Sequence, residues 1–291
     1  MESYINGNTK TCVLIGNPVS HSFSPAMHNR AFQELGLNWV YIPTQVEESN
    51  LERAMEGIRS LSIRGANVTI PYKEQVIEHL DQVKGEARLI GAVNTILNIE
   101  GKLTGYNTDG QGFLRSLAQE KVDLHGKRAV ILGAGGSAKA IAVSLAAAGI
   151  LKIVFVNRNL QRAEGLSQLI KDNFTCNTSV VSLEDKELLR ECLKQADLLI
   201  NTTPYGMYPR HQVETIVPEE YLDNNLIVVD LIYNPQRTVL LAAAEKKGCK
   251  TISGMGMLLY QGALAFELWT GQKAPEGIMK KVLLANMNLQ K

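Results

Sequence analysis

Apolar and polar positions along this chain alternate between short β-branched runs and longer stretches of helical period. TCVLIGN (11–17) predicts a strand entering a glycine turn. SPAMHNRAFQELGL predicts a helix that starts at Ser24-Pro25, with Gly36 as its stop. NWVYIPTQV predicts a second strand. NLERAMEGIRSL predicts a helix with Asn50 as N-cap. IRGANVTIP predicts a third strand, and KEQVIEHLDQV a further helix. The pattern restarts near residue 127: KRAVILGAGG is a strand ending in glycines, SAKAIAVSLAAAG an alanine-rich helix closed by Gly149, and KIVFVNR the next strand. ADLLINTTP and LIVVDLIY read as later strands of the same sheet, and the last forty residues read as helical. Strands alternating with helices predict an α/β fold of mostly parallel sheet with helices on both faces. Two such units fit the pattern, joined near residues 105–125.

Bulk properties narrow the function classes. The chain has 291 residues, enough for one large domain or two ordinary ones, with 45% hydrophobic and 20% charged residues. A net charge of +1 supplies no field for nucleic acid or an anionic membrane. No apolar run approaches the roughly 20 residues a bilayer span needs. The opening MESYINGNTK is polar and reads as no secretion signal. Cys12, Cys176, Cys192 and Cys249 are scattered without C-x-x-C spacing, which fits reduced thiols in a cytoplasmic protein. His21, His28, His79, His125 and His211 show no H-x-x-x-H pattern, so no metal is expected.

VILGAGGSAKA carries Gly133, Gly135 and Ala138 as G-x-G-x-x-A between a strand and a helix. Gly133 permits the tight turn, Gly135 lets a pyrophosphate approach the backbone, and Ala138 lets the helix pack close to the sheet. The helix N-terminus offers free N–H groups to the anion. The next strand ends in Asn157-Arg158, followed by Arg162, where NAD sites usually carry an acid for the ribose 2′-hydroxyl. Two arginines there favour a 2′-phosphate, at about 1.5–3 kcal/mol for each charged hydrogen bond, so NADP is the expected cofactor. A solvated basic helix start is the bland alternative.

In the first half, SHSFSP, NVTIPYKE, GAVNT and GYNTDG each set small polar residues at the end of an apolar run. Ends of parallel strands share one sheet edge, where ligands usually bind. Ser22, Ser24, Thr69, Asn94 and Asp109 are therefore expected to converge, and NVTIP delivers Lys73 to the same edge. Singly, each stretch is also an ordinary cap, turn or strand end.

Together these stretches resemble the shikimate dehydrogenase family across nearly the whole chain. The matching segments are GNPVSHSFSPAMHN, GANVTIPYKE, GAVNT, GYNTDGQGF, GAGGSAKA, NR with Arg162, NTTPYGM, DLIYNP and GMLLYQGALAFELWTG, in the family's order. The resemblance implies reversible NADPH-dependent reduction of 3-dehydroshikimate to shikimate, on the route to chorismate and the aromatic amino acids. It implies Lys73 and Asp109 as the catalytic pair, and Ser22 and Ser24 as carboxylate-binding hydroxyls. Thr69, Asn94 and Gln261 would bond the ring hydroxyls, with Asn67 and Tyr233 close by. The cofactor positions it implies are Gly133, Ala134, Gly135, Gly136, Ser137, Ala138, Asn157, Arg158, Arg162, Thr202 and Gly254.

The resemblance also implies a substrate domain over residues 1–110 with the C-terminal helices 255–291 returning to it. A Rossmann NADP-binding domain would span 111–254, and the protein would act as a monomer or homodimer. Asn159 stands where the family's NADP-type motif commonly has threonine, and Tyr72 where phenylalanine is frequent. The C-terminal segment also resembles the quinate/shikimate branch, which tends to accept NAD; a pocket that must only tolerate one added hydroxyl discriminates by about 10²-fold or less. Two other classes stay open: a non-catalytic NADP-binding regulatory protein, and another small-carbonyl reductase on the same fold.

Overall fold

A computed structural model describes residues 5–208 and 214–289; His211 and the first four residues of the polar opening lie outside them. The first elements are β1 (Lys10–Gly16), α1 (Ser24–Glu34), β2 (Trp39–Gln45), α2 (Leu51–Ser60), β3 (Gly65–Val68), β4 (Gln82–Val83), α3 (Glu86–Ile90), β5 (Thr95–Ile99), β6 (Lys102–Tyr106) and α4 (Asp109–Gln119). Then come β7 (Arg128–Leu132), α5 (Gly136–Ala147), β8 (Lys152–Asn157), α6 (Leu160–Asn173), β9 (Asn177–Ser182), α7 (Lys186–Lys194), β10 (Leu198–Asn201), β11 (Ile227–Asp230), α8 (Val239–Lys246) and β12 (Lys250–Ser253). The chain closes with α9 (Met255–Thr270) and α10 (Glu276–Leu289).

The described residues form two compact units: one runs to Gly112 and resumes at Leu259, and the other spans Phe113–Leu258. Both boundaries fall inside helices, α4 and α9.

The first unit holds a six-stranded sheet in the order β2-β1-β3-β5-β6-β4. β1 pairs in parallel with β2 and β3, and β4 with β6, while β5 runs antiparallel to both neighbours. Val13, Ile15, Ala66, Val68, Val93, Ile96 and Leu103 build one face of its core against Leu51, Met55 and Ile58 of α2. Trp269 of α9 donates its indole N–H to the Ile96 carbonyl at 2.9 Å and is 1% exposed, so the returning helix is anchored in this unit. α10 packs along α1.

Two local expectations differ from the structure. KEQVIEHLDQV forms only a 3-10 turn over Gln75–His79 before the short β4, because its Leu80 and Val83 are drawn to the core rather than to a helix face. Asn50 takes the N-cap position of α2, but its side chain caps nothing; a 3-10 turn over Glu48–Asn50 leads into the helix instead.

The second unit is an all-parallel sheet in the order β12-β11-β10-β7-β8-β9, a doubly wound Rossmann arrangement whose strand order reverses at β7. Its inner strands β7, β8 and β10 are buried on both faces and read as near-continuous apolar runs: Ala129 to Leu132, Ile153 to Val156 and Leu198 to Ile200 are each buried. Among the described residues no helix is long and apolar enough to cross a membrane.

Candidate active site and cofactor loop

In the first unit, one sheet edge collects the predicted polar residues. Ser22 and Ser24 follow β1, Thr69 and Lys73 follow β3, and Asp109 follows β6. Asn94 comes before β5 rather than at a strand end. It still reaches the same edge, because β5 runs antiparallel and its start, Thr95, lies opposite Asn67. Lys73 is placed by a turn after β3: Thr69 N–H bonds to the Ile15 carbonyl and Tyr72 N–H to the Thr69 carbonyl. The Lys73 carbonyl then accepts from Val93 N–H at 2.7 Å, which ties the lysine to the segment carrying Asn94.

The Lys73 ammonium meets the Asp109 carboxylate, Nζ to Oδ2, at 2.6 Å, with side chains 24% and 9% exposed. Asp109 opens α4, where the helix dipole favours its negative charge. Its other oxygen, Oδ1, accepts from Asn94 Nδ2 at 2.8 Å. Asn94 is 3% exposed, and its Oδ1 accepts from Thr108 N–H at 2.8 Å and from Thr95 Oγ1 at 3.0 Å. A carboxylate held on both oxygens, with one ammonium proton donor left partly open to solvent, is a geometry for proton transfer to a bound oxygen.

Around this pair, Ser22 Oγ accepts from Ser24 N–H at 3.2 Å. Asn67 is 6% exposed, and both of its amide hydrogens are used within the protein, to the Asn94 carbonyl and Thr95 Oγ1, each at 3.1 Å. The Gln261 backbone in α9 passes so close to Gly112 of α4 that a Cβ there would lie 2.6 Å from its nitrogen. Gln261 is thereby fixed one helical turn from Asp109. Thr95, Thr108 and Tyr41 belong to this network and are not among the site residues expected from the sequence. Thr95 and Thr108 adjoin Asn94 and Asp109 in GAVNT and NTDG; Tyr41 has no local signal beyond an aromatic in a strand.

Beneath the edge lies an aromatic box. His28 is fully buried, stacked on Tyr41 at 4.6 Å and tilted against Trp269 at 5.2 Å, and neither ring nitrogen has a hydrogen-bond partner among the described residues. Burial pushes its pKa down to about 3, so the ring is neutral. Burial also raises the Tyr41 hydroxyl well above its ordinary value, partly opposed by a hydrogen bond from Ser24.

In the second unit, Gly133 follows β7 at φ +105, a conformation open to glycine, with Thr202 Oγ1 2.7 Å from where a Cβ would sit. Thr202 donates from that hydroxyl to the Leu132 carbonyl at 2.6 Å, so the tips of β7 and β10 are tied together. Gly135 is the N-cap of α5 and has no side-chain cap, and a Cβ added at Gly135 or Gly136 would meet nothing within 4 Å. The loop is an open cradle over free helix N–H groups, which fits a dinucleotide pyrophosphate. Ala138 is buried against the sheet, as close helix packing requires, while Ala134 and Ser137 are partly exposed in the loop and first turn.

At the tip of β8, Asn157 donates to the Asn159 carbonyl at 2.8 Å, and the Asn159 side chain caps α6 by accepting from Arg162 N–H at 3.1 Å. Asparagine here performs the N-cap that threonine would also perform. Arg158 and Arg162 are exposed beside it, with no carboxylate partner among the described residues. Gly254 packs its α-carbon against the Leu231 backbone, and Tyr233, whose hydroxyl burial raises in pKa, lies in the segment after β11.

Asp230 at the end of β11 is 0% exposed. It accepts from Thr238 Oγ1 at 2.7 Å and Asn201 Nδ2 at 3.0 Å, and burial raises its pKa to about 6. A separate open groove of about 880 Å³, lined by Lys186, Glu219, Arg237 and Lys246 among others, contains none of the predicted site residues. No cluster of metal ligands exists among the described residues.

The chain matches family models described as the shikimate dehydrogenase substrate binding domain over residues 14–96, shikimate / quinate 5-dehydrogenase over 116–239, and the shikimate 5′-dehydrogenase C-terminal domain over 254–284. A shikimate dehydrogenase (NADP(+)) of Methanopyrus kandleri is 49% identical over 284 residues, covering 97% of this chain and 98% of its own. The crystal structure of shikimate 5-dehydrogenase from Listeria monocytogenes in complex with shikimate and NAD matches with a TM-score of 0.92 at 39% identity, over 97% of this chain and 99% of that one. A shikimate dehydrogenase in complex with NADP+ matches with a TM-score of 0.91 at 44% identity, over 98% of each chain.

Proposed function

This chain belongs to the shikimate dehydrogenase family, and on that premise we propose that it interconverts 3-dehydroshikimate and shikimate with NADP(H). This is an oxidoreductase step of the shikimate pathway toward chorismate and the aromatic amino acids. The observation that carries the residue assignment is the 2.6 Å Lys73–Asp109 pair, braced through Asn94. NADPH, when bound, supplies the hydride. Lys73 stabilises the charge that develops on the ketone oxygen and hands it a proton, then recovers one from solvent; in the reverse direction it takes the hydroxyl proton. Asp109 orients the ammonium and holds a ring hydroxyl.

Ser22 and Ser24 bind the substrate carboxylate, while Thr69, Asn94 and Gln261 bond its hydroxyls. Asn67 and Tyr233 flank it. Gly133 through Ala138, Thr202 and Gly254 receive the dinucleotide, and Asn157, Arg158 and Arg162 its 2′-phosphate. The exposed arginines, without a carboxylate partner among the described residues, favour NADP over the NAD of the quinate branch. An intact lysine–aspartate pair argues for an enzyme rather than a regulatory NADP-binding protein. Four free cysteines, three of them buried, suit a cytoplasmic enzyme acting as a monomer or homodimer.

The test is a two-by-two assay of nicotinamide reduction, pairing shikimate or quinate with NADP or NAD. Turnover confined to shikimate with NADP is expected. Equal turnover of quinate with NAD moves the protein to the quinate branch. A folded Lys73→Ala variant with normal turnover removes the assigned role of the lysine.

A further inference from the structure

Tyr41 lies on β2, two strands away from the lysine turn, and is 1% exposed. Its hydroxyl donates to Asn67 Oδ1 at 2.8 Å and is also hydrogen-bonded by Ser24. We propose that Tyr41 is a positioning residue for the Lys73–Asp109 pair, acting through a directional chain of hydrogen bonds that runs from Asn67 through Thr95 and Asn94 to Asp109. The proposal rests on the reading of Lys73 and Asp109 as the reacting pair.

Each link sets the polarity of the next. A donated Tyr41 proton fixes the oxygen of the Asn67 amide, which turns its nitrogen toward Thr95 Oγ1 at 3.1 Å. Thr95 Oγ1, now an acceptor, directs its own proton to Asn94 Oδ1 at 3.0 Å. Thr108 N–H donates to the same oxygen at 2.8 Å, and the Asn94 nitrogen is left facing Asp109 Oδ1 at 2.8 Å. The carboxylate thus presents its other oxygen to Lys73. Without the Tyr41 hydroxyl, Asn67 Oδ1 becomes a buried acceptor with no donor. Turning the amide over to relieve this draws the Thr95 proton away from Asn94, and the brace on Asp109 weakens. The Thr108 N–H keeps part of that brace, so the effect is graded rather than total.

Tyr41→Phe is the direct test, since it removes one oxygen and retains the ring stacked on His28. For a proton-transfer pair that has lost one neutral hydrogen bond's worth of support, kcat falls about fivefold. The KM for NADP changes little, the KM for shikimate moves only through the lost Ser24 bond, and the solvent deuterium isotope effect on kcat rises as proton transfer becomes more rate-limiting. A merely structural loss lowers the active fraction and leaves the isotope effect alone.

Thr95→Val cuts the same chain one link further on and is expected to reproduce the phenotype, while Thr95→Ser, which keeps the hydroxyl, is expected to behave as wild type. Wild-type kcat in both Tyr41→Phe and Thr95→Val, or a lowered kcat with an unchanged isotope effect, overturns the proposal. If the wild-type protein itself is silent with shikimate, the reaction assignment fails instead. The relay is then judged by a crystal structure of Tyr41→Phe, where an unchanged Asn67 amide and an unchanged Asn94–Asp109 bond overturn it.

Discussion

His28 makes the first unit lose stability on acidification, by an amount the structure sets. The ring is fully buried with no partner for either nitrogen among the described residues, and its pKa is pushed from 6.5 to about 3 by burial alone. In the unfolded chain the same ring titrates near ~6.5. Below that value the unfolded state binds a proton that the native state refuses, so stability falls as pH falls. Between pH 8 and pH 5 the loss is about 2 kcal/mol, and it approaches about 5 kcal/mol only near pH 3.

The perturbation that isolates it is His28→Phe, which keeps an aromatic ring against Tyr41, Phe32 and Trp269 but cannot titrate. Repacking costs of about 1–3 kcal/mol shift the whole curve equally and drop out of the pH difference. Both tryptophans, Trp39 and Trp269, lie in this unit, so their emission reports its urea unfolding directly. Asp230, whose raised pKa of about 6 has the opposite sign and makes native stability rise as pH falls through that value, sits in the other unit and is common to both proteins. The wild-type midpoint is expected to fall about 1 M urea further than the variant's between pH 8 and pH 5. Parallel curves for the two proteins refute the argument that the buried ring stays neutral.

Further tests concern the cofactor loop. Gly135→Ala meets no protein atom, so its melting temperature is expected to equal the wild type's, while the added methyl enters the pyrophosphate cradle and raises the KM for NADP by about tenfold, some 1.4 kcal/mol; calorimetry and initial rates check both halves. Gly133→Ala is expected to do the reverse, destabilising the second unit by about 1–3 kcal/mol through its φ of +105 and the clash with Thr202, as read by thermal unfolding. Arg158→Ala and Arg162→Ala are each expected to lower kcat/KM with NADP by about tenfold to about 150-fold and to leave NAD turnover nearly unchanged. Equal losses with both cofactors, measured by parallel rate assays, remove the 2′-phosphate assignment.

What the sequence reveals and what it hides follow from the range of the forces involved. The second unit is legible because each of its signals is local: a parallel strand buried on both faces is a continuous apolar run, and the loop that follows β7 needs glycine at a φ of +105. In the first unit, the edge residues are legible one by one, but the reason they meet is not. The expectation that parallel strand ends converge holds for Ser22, Thr69 and Asp109, which follow β1, β3 and β6. It does not explain Asn94, which precedes its strand. Asn94 joins them because the β5–β6 hairpin turns over at Gly101, and β5 enters antiparallel with Thr95 facing Asn67. That pairing is a long-range choice, set by Ile96 and Leu103 entering the same core as Val13 and Ile15, and no window of ten residues contains it.

The failed helix at KEQVIEHLDQV has the same origin: its apolar residues suit helical spacing, yet Leu80 and Val83 pack against the sheet core and the chain pairs as β4 with β6. Tyr41 and His28 are hidden more deeply still. An aromatic in a strand and a histidine in a helix look like core residues, and both are. Only their placement, one hydroxyl against Asn67 and one unpartnered ring beneath it, gives the first a part in orienting Asp109 and the second control over acid stability.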